Sequence, residues 1–435
     1  MKSCAVRSWV RSGLVLSVAM GFSTSALAGG FQISEMATRS TGMGSAFTAV
    51  ADDASAAWHN PAGVAFTTGS QLMGGADALV VPGAKYSPNA SSTGVGGAAV
   101  TTYTQAASKT FIVPHAYYTY MHEPSGLGAS IGINSPFGLE TDWPTTGPFA
   151  SKNTFSRIRM IMVNPGLVYR ISDTLSIAAG ADYAKLTNVD LNSTNQLLGG
   201  KGDGWGANAA LMYRADKLSL GVSYRSRIRV NIDGTATAQA SLKALGGSSS
   251  TASTRLTLPD QVNVGVAYRP NDVWLLSADV DWVNWKTYDA INITYNSATY
   301  RTALSALQTA VGATATGTTS EPRNWKATTA FKLGAEWAYT PRVRTRFGYV
   351  FDPTPTNNVD WSPSTPDNDR HIVSFGYSYD FSTHATMDLA YAYVYFKKRH
   401  QTASPATPAG SPGSVKNGDY KSQVHILAVS LSYRF

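Results

Sequence analysis

Arginines recur at every second position in three places: Arg157 and Arg159; Arg225, Arg227 and Arg229; and Arg342, Arg344 and Arg346. In an extended strand a spacing of two puts side chains on one face. Guanidinium groups aligned this way can hold an anionic head group, and Arg157, Arg159 and Arg225 are the candidates for that contact. The competing role is pairing with acids on neighbouring strands, for which Asp279, Asp281 and Glu336 are available. Catalytic constellations are missing. The seven histidines are scattered, no Gly-x-Ser-x-Gly elbow occurs, and no His/Asp/Glu group has metal-ligand spacing. The pair Asp52-Asp53 is adjacent, so its carboxylates normally point apart. The expectation is a chain without catalytic residues, cofactor or metal.

The elements that position these residues lie behind an export leader. Lys2, Arg7 and Arg11 form a basic start, Gly13 to Phe22 an apolar core, and Ala26-Leu27-Ala28 a small-residue cleavage site. A spanning helix needs roughly 20 apolar residues and this core is about half that. Cys4, the single cysteine, falls within the leader, so the mature chain is expected to lack thiol chemistry and disulfides. Loss of the three leader cations lowers the formal net charge from +8 to +5. No Lys/Arg run suggests nucleic acid. Charged residues are 14% of the chain, against about 25% in soluble domains. No later stretch approaches 18 apolar residues, which excludes a helical membrane protein. An exported, charge-poor, Tyr- and Gly-rich chain fits a bacterial outer-membrane β-barrel.

The last strand displays the pattern. His425, Leu427, Val429, Leu431, Tyr433 and Phe435 share one face, while Ile426, Ala428, Ser430, Ser432 and Arg434 share the other. A terminal aromatic on such a strand resembles the signal read by barrel assembly machinery. Trp274 and Trp282, eight residues apart on one face, are separated by roughly 20 Å along the membrane normal at a tilt near 40°. That approximates the ~25 Å between aromatic girdles. Fourteen such segments are expected near 71–80, 111–121, 127–134, 156–170, 174–187, 204–213, 217–230, 255–269, 272–286, 328–339, 342–350, 371–379, 386–396 and 423–435. Short turns alternate strictly with long Ser/Thr/Gly/Pro-rich loops, as in barrels with periplasmic turns and external loops. The faces opposite the apolar ones, with the three arginine series, are expected to line the lumen; contact of the arginines with lipopolysaccharide at the outer rim is the alternative, and outer-membrane lipid is a further expected partner. The barrel is expected to be monomeric.

Residues 29–66 do not alternate. They are small, carry Asp52-Asp53 and end in Asn60-Pro61-Ala62. About eight strands is the size at which side chains fill a barrel. Fourteen therefore leave a lumen to be blocked, and this segment is the candidate plug. The expected organisation is a leader at 1–28, a hatch at 29–66 and an all-β, 14-stranded antiparallel transmembrane barrel at 67–435.

Gly30-Phe31-Gln32, Gly42-Met43-Gly44-Ser45-Ala46, Ala51-Asp52-Asp53-Ala54 and Asn60-Pro61-Ala62 resemble the hatch of the long-chain fatty-acid transporter (FadL/TodX-type) family. The resemblance continues in order through Ser135-Pro136-Phe137-Gly138-Leu139-Glu140-Thr141, Leu258-Pro259-Asp260, Asp279-Val280-Asp281-Trp282, Leu333-Gly334-Ala335-Glu336-Trp337 and Pro366-Asp367-Asn368-Asp369-Arg370-His371. It implies a hatch-plugged outer-membrane barrel for passive uptake of hydrophobic molecules. Ligand would be caught in an external groove, pass a lumenal pocket and leave sideways through a kinked third strand. By that resemblance Asn60, Pro61 and Ala62 form the gate with Gly132 of the third strand, and Phe31 shapes the pocket. Phe137, Leu139, Trp143 and Phe149 are the groove candidates, and Thr302 to Val311 could add a short apolar helix. Long-chain fatty acids are the first expected substrate, with alkanes or aromatic hydrocarbons as the alternative. The fatty-acid branch uses basic lumenal residues, and the stretch after Lys185 reads Leu186-Thr187-Asn188-Val189-Asp190, which lacks one. An open porin or an adhesin is the reading from another class.

Overall fold

The computed structural model describes residues 29–93, 98–402 and 415–435; the expected leader with Cys4 lies outside them. The described chain forms a closed antiparallel barrel of fourteen wall strands. These are β1 (Gly69–Val81), β2 (Lys109–His122), β3 (Leu127–Asn134, resuming at Leu139–Asp142), β4 (Phe155–Arg170), β5 (Leu175–Asn192), β6 (Gln196–Ala215) and β7 (Leu218–Arg225, resuming at Ile228–Ala238). They continue with β8 (Ser249–Leu258, resuming at Gln261–Asn271), β9 (Trp274–Val283, then Ala290–Tyr295) and β10 (Thr319–Pro322, then Thr328–Thr340). Last come β11 (Val343–Asp352), β12 (Arg370–Asp380), β13 (Ala385–Phe396) and β14 (Gln423–Arg434). Each expected segment has its strand. The ring closes where β1 pairs with β14, from Gln71↔Arg434 to Val80↔His425.

Strands β5 and β6 run 18 and 20 residues, about twice the 9–11 that cross a bilayer. Their outer halves, with those of β7 to β10, rise beyond the membrane as a parapet on one side. Tyr213 and Trp205 on β6 repeat the spacing of Trp274 and Trp282, and all four lie on the outward face. The expected short helix is present as α-helix Ala298–Ala310, capped by the Ser297 hydroxyl.

Of the first two arginine series, only Arg225 faces the lumen. On β7 the alternation slips by one residue at Ser226–Arg227. The Ser226 N–H donates to the Ala207 carbonyl at 2.8 Å and its Oγ accepts from the Ala207 N–H at 2.9 Å, which holds the slip in place. A slip of one reverses every later side chain. Arg225 therefore points inward, whereas Arg227 and Arg229 point outward and Ile228, Val230 and Ile232 take the lumenal side. On β4 the lumenal side is Ser156, Ile158, Met160 and Met162, so Arg157 and Arg159 fall on the outward one. The third series behaves as expected, with Arg346 fully buried inside.

The N-terminal segment fills the lumen through helices α1 (Thr38–Gly42) and α2 (Ala56–His59) and a 3₁₀ turn, Pro61–Phe66. Its small residues let backbone lie on backbone. A Cβ on Gly42 would meet the Gly376 Cα at 2.8 Å, and one on wall residue Gly334 would meet the Met43 carbonyl at 2.7 Å. Gly221, Gly265 and Gly348 are covered by the same stretch, so glycines of β7, β8, β10, β11 and β12 form a smooth seat.

Candidate functional site

One flank of the plug is held by charge. Arg39 bonds Glu336 of β10 (Nε–Oε2, 3.0 Å), lies 3.2 Å from Asp53 and pairs with Asp52. Glu336 also takes Arg346 of β11 at 2.6 Å, and Arg346 reaches Asp388 of β13 at 2.9 Å. Arg269 of β8 adds a 2.9 Å pair to Asp52. Burial alone would raise the Asp52 carboxyl, but Arg39, Arg214 and Arg269 hold it down at about 2. Asp53, where burial dominates, is raised. The Thr48 N–H donates to Asp279 of β9 at 2.8 Å, and the Gly44 N–H to the Ser374 hydroxyl of β12 at 3.1 Å.

The other flank is held by a belt with one residue from each of six consecutive strands. Tyr117 of β2 donates to the Met36 carbonyl at 2.5 Å. Asn134, the last residue before the break in β3, donates to the Tyr117 hydroxyl and to Asn164 Oδ1 of β4, both at 3.3 Å. Asn164, Asn208 of β6 and Arg225 of β7 all donate to Asp182 Oδ1 of β5, at 2.6, 2.9 and 2.6 Å. Arg225 then donates to the Trp58 carbonyl at 2.7 Å and lies 3.9 Å over the Trp58 ring. Arg225 is thus committed to the plug and the wall and is not free for a head group. Asn60 serves the same flank: its side chain accepts from the Ala62 N–H and donates to the carbonyls of Thr48 (2.9 Å) and Leu211 (3.2 Å). Pro61 and Ala62 are buried beside it.

The break in β3 lies at Ser135 to Gly138, beyond the strand's glycines. Pro136 offers no N–H to a ladder, and the chain turns inward here to meet the N-terminal segment. Phe137 bridges Gln32, the Ile33 N–H donates to the Pro136 carbonyl at 2.9 Å, and the Gly138 N–H to the Phe31 carbonyl at 3.0 Å. Pairing of β2 with β3 stops at Ala116↔Ile133. The strands meet again near the outer end, where Lys109 pairs with Asp142 at 2.9 Å. Between these points no ladder joins the two strands among the described residues. Gly126 belongs to the preceding turn, with φ of 68°, while Gly132 stays in the strand and makes room for the Tyr117 ring, 3.0 Å from where its Cβ would be.

Phe31 and Phe137 come together in an aromatic cage with Trp285, Tyr288 and Trp325; Phe31 lies 4.8 Å from Trp285 and 5.5 Å from Tyr288 between centroids. Tyr288 and Leu139 also line a largely apolar groove, whose walls include Ile158, Val189, Ile232 and Leu256. Arg157, on its edge, is bound to Asp190 at 2.8 Å, and Arg159 to Glu140 at 3.0 Å. Trp143 and Phe149 lie elsewhere. They are buried with Tyr86, Trp361 and Tyr420 in a loop core, where the Trp143 indole donates to the Pro363 carbonyl at 2.9 Å. As packed there, they present no open groove surface. At the short-turn end, a second cleft is lined by Arg39, Asp52, Asp53, Arg269, Glu336 and Arg434. The sequence reading missed the belt and three rings of the cage. Inward polar residues on otherwise apolar strands were the available signal.

The sequence pattern of the outer membrane protein transport protein family (OMPP1/FadL/TodX) matches residues 19–435. The chain belongs to this family. A long-chain fatty acid transport protein of Escherichia coli (strain CFT073) is 24% identical over 442 residues, covering 90% of this chain and 92% of that one. Among solved structures, a Pseudomonas aeruginosa FadL homologue superposes with a TM-score of 0.76 at 18% identity, covering 93% of this chain and 99% of the other. The Ralstonia pickettii toluene transporter TbuX gives 0.64 at 16%, covering 92% and 98%. The family's members are outer-membrane transport channels for hydrophobic molecules, not enzymes, and this chain is one of them.

Proposed function

We propose that the chain takes up long-chain fatty acids passively, from the outer groove through the aromatic cage to the gap between β2 and β3, and out into the bilayer. The plug, residues 29–66, acts as the hatch. The contrast between the apolar groove and the charged cleft carries this reading. Each methylene leaving water gains about 0.8 kcal/mol, so a sixteen-carbon chain gains on the order of 12 kcal/mol. Groove, cage and lipid offer that gain; the ion-paired cleft beneath the hatch does not. The full-length fatty-acid transport relatives favour this substrate.

A second reading, neutral alkanes or aromatic hydrocarbons, is favoured by the pairing of Arg157 with Asp190 and of Arg159 with Glu140, which leaves neither free for a carboxylate. Uptake by a deletion strain, with and without the restored gene, on oleate, an alkane and toluene in parallel separates the two. Restoration on oleate supports the first, restoration on the neutral compounds alone supports the second, and restoration on none overturns both. Asn60→Ala is expected to lower uptake with the barrel assembled, because three hydrogen bonds at the hatch turn are lost.

A further inference from the structure

The outward face of the parapet carries positive charge that the protein does not neutralise. Trp205, 65% exposed and tilted against Tyr183 with 4.7 Å between ring centroids, marks the outer girdle. Beyond it lie Lys185 on β5, Lys201 on β6, Arg229 on β7 and Arg255 on β8, all exposed. Register binds them into one patch: Lys185 opposes Asp203, Lys201 opposes Asp233, and Arg255 opposes Asn231. Arg255 donates to Asn231 Oδ1 at 2.9 Å. Among the described residues, Lys185, Lys201 and Arg229 have neither an ion pair nor a side-chain hydrogen bond. The acids of the patch, Asp203 and Asp233, are exposed and lie outside ion-pair distance of any of its cations. Arg227, beside them, is paired with Asp260 at 3.1 Å.

We propose that this face binds lipopolysaccharide of the outer leaflet through the phosphates of its sugar head group. The Ser226 slip is the device that builds it, since it removes two arginines from the apolar lumen and aims them at the leaflet. Four strands at ~4.8 Å spacing make the patch about 14 Å wide, and four residues from Trp205 to Lys201 make it about 13 Å tall. A glycerophospholipid presents one phosphate in one plane, whereas a phosphorylated disaccharide presents two across this span. Exposed rings below and cations above match acyl chains and phosphates.

The test is titration of the purified full-length chain in detergent with bisphosphorylated lipid A, followed by unfolding temperature and native mass spectrometry. Lipid A is expected to raise the unfolding temperature of the wild type. Combined Arg229→Ser and Arg255→Ser should weaken binding at least about tenfold, since two charge-assisted contacts are lost. Arg342→Ser combined with Lys217→Ser, the same loss of two cations at periplasmic turns, should leave it unchanged. If the double variant fails to assemble, Lys185→Ser and Lys201→Ser decide, each with a smaller loss. Undiminished binding by the patch variants overturns the proposal, and so does equal binding of dephosphorylated lipid A or phosphatidylglycerol.

Discussion

Residues 29–66 meet the wall mainly through ion pairs on one flank and mainly through their backbone carbonyls on the other. Towards β8 to β13 they offer Arg39 and backbone N–H groups to wall carboxylates and a hydroxyl. Towards β2 to β7 they offer carbonyls (Met36, Trp58, Ala62) to wall donors Tyr117, Arg225 and Ser176. Removing one partner from a buried ion network leaves bare charge and costs far more than losing one neutral hydrogen bond. If residues 29–66 act as the proposed hatch, the first flank is its mooring. The second is held by neutral hydrogen bonds except at Arg225, which is paired with Asp182 and lies over Trp58, and on the proposed route it is the flank that yields beside β2 and β3.

The comparison can be broken at the mooring first. Arg39→Met leaves Asp53 without its cation and Asp52 and Glu336 with one each, Arg269 and Arg346, and is expected to cost about 3–5 kcal/mol of hatch seating. Ion conductance in planar bilayers should rise steeply while the barrel stays heat-resistant; unchanged conductance would sink the idea of a mooring. A smaller effect comes from acid. Burial, with Lys332 and Arg225 nearby, depresses His59 to about 3, and its Nε2 has no hydrogen-bond partner. A depressed group stabilises the seated state above its free value near 6.5 and loses that contribution as pH falls towards 3. The slope is about 1.4 kcal/mol per pH unit. Burial raises Asp53 and Glu35, which pull the opposite way in acid. The measurement is thus the difference between wild type and His59→Gln: between pH 6 and 4.5 the wild type should lose about 2 kcal/mol more. Smallest in energy is Tyr117→Phe, about 1 kcal/mol. It sharpens the contrast by function, with altered uptake and unaltered resting conductance. Loss of both together would merge the two flanks into one.

Strand number and turn positions were legible because alternation and punctuation are local. Arg346 was legible too, its strand being unbroken from Val343 to Asp352. Arg227 and Arg229 were misplaced because a slip of one depends on how Ser226 bonds Ala207 across the ladder, which no count along one strand contains. Arg157 and Arg159 misled because a polar outward face looks lumenal until the strand is known to extend beyond the bilayer. Phe137 and Trp143, six residues apart in one loop, lie in different clusters because Phe137 is drawn inward by Gln32 and Trp143 is tied to Pro363. Loop composition records that both are apolar, not which partner each meets.

The glycine seat bears on the order in which the molecule is built. A surface that interlocks by side chains must form together with its partner, whereas five wall glycines facing small hatch residues leave nothing to thread or unhook. The wall can close first and receive its N-terminal segment afterwards.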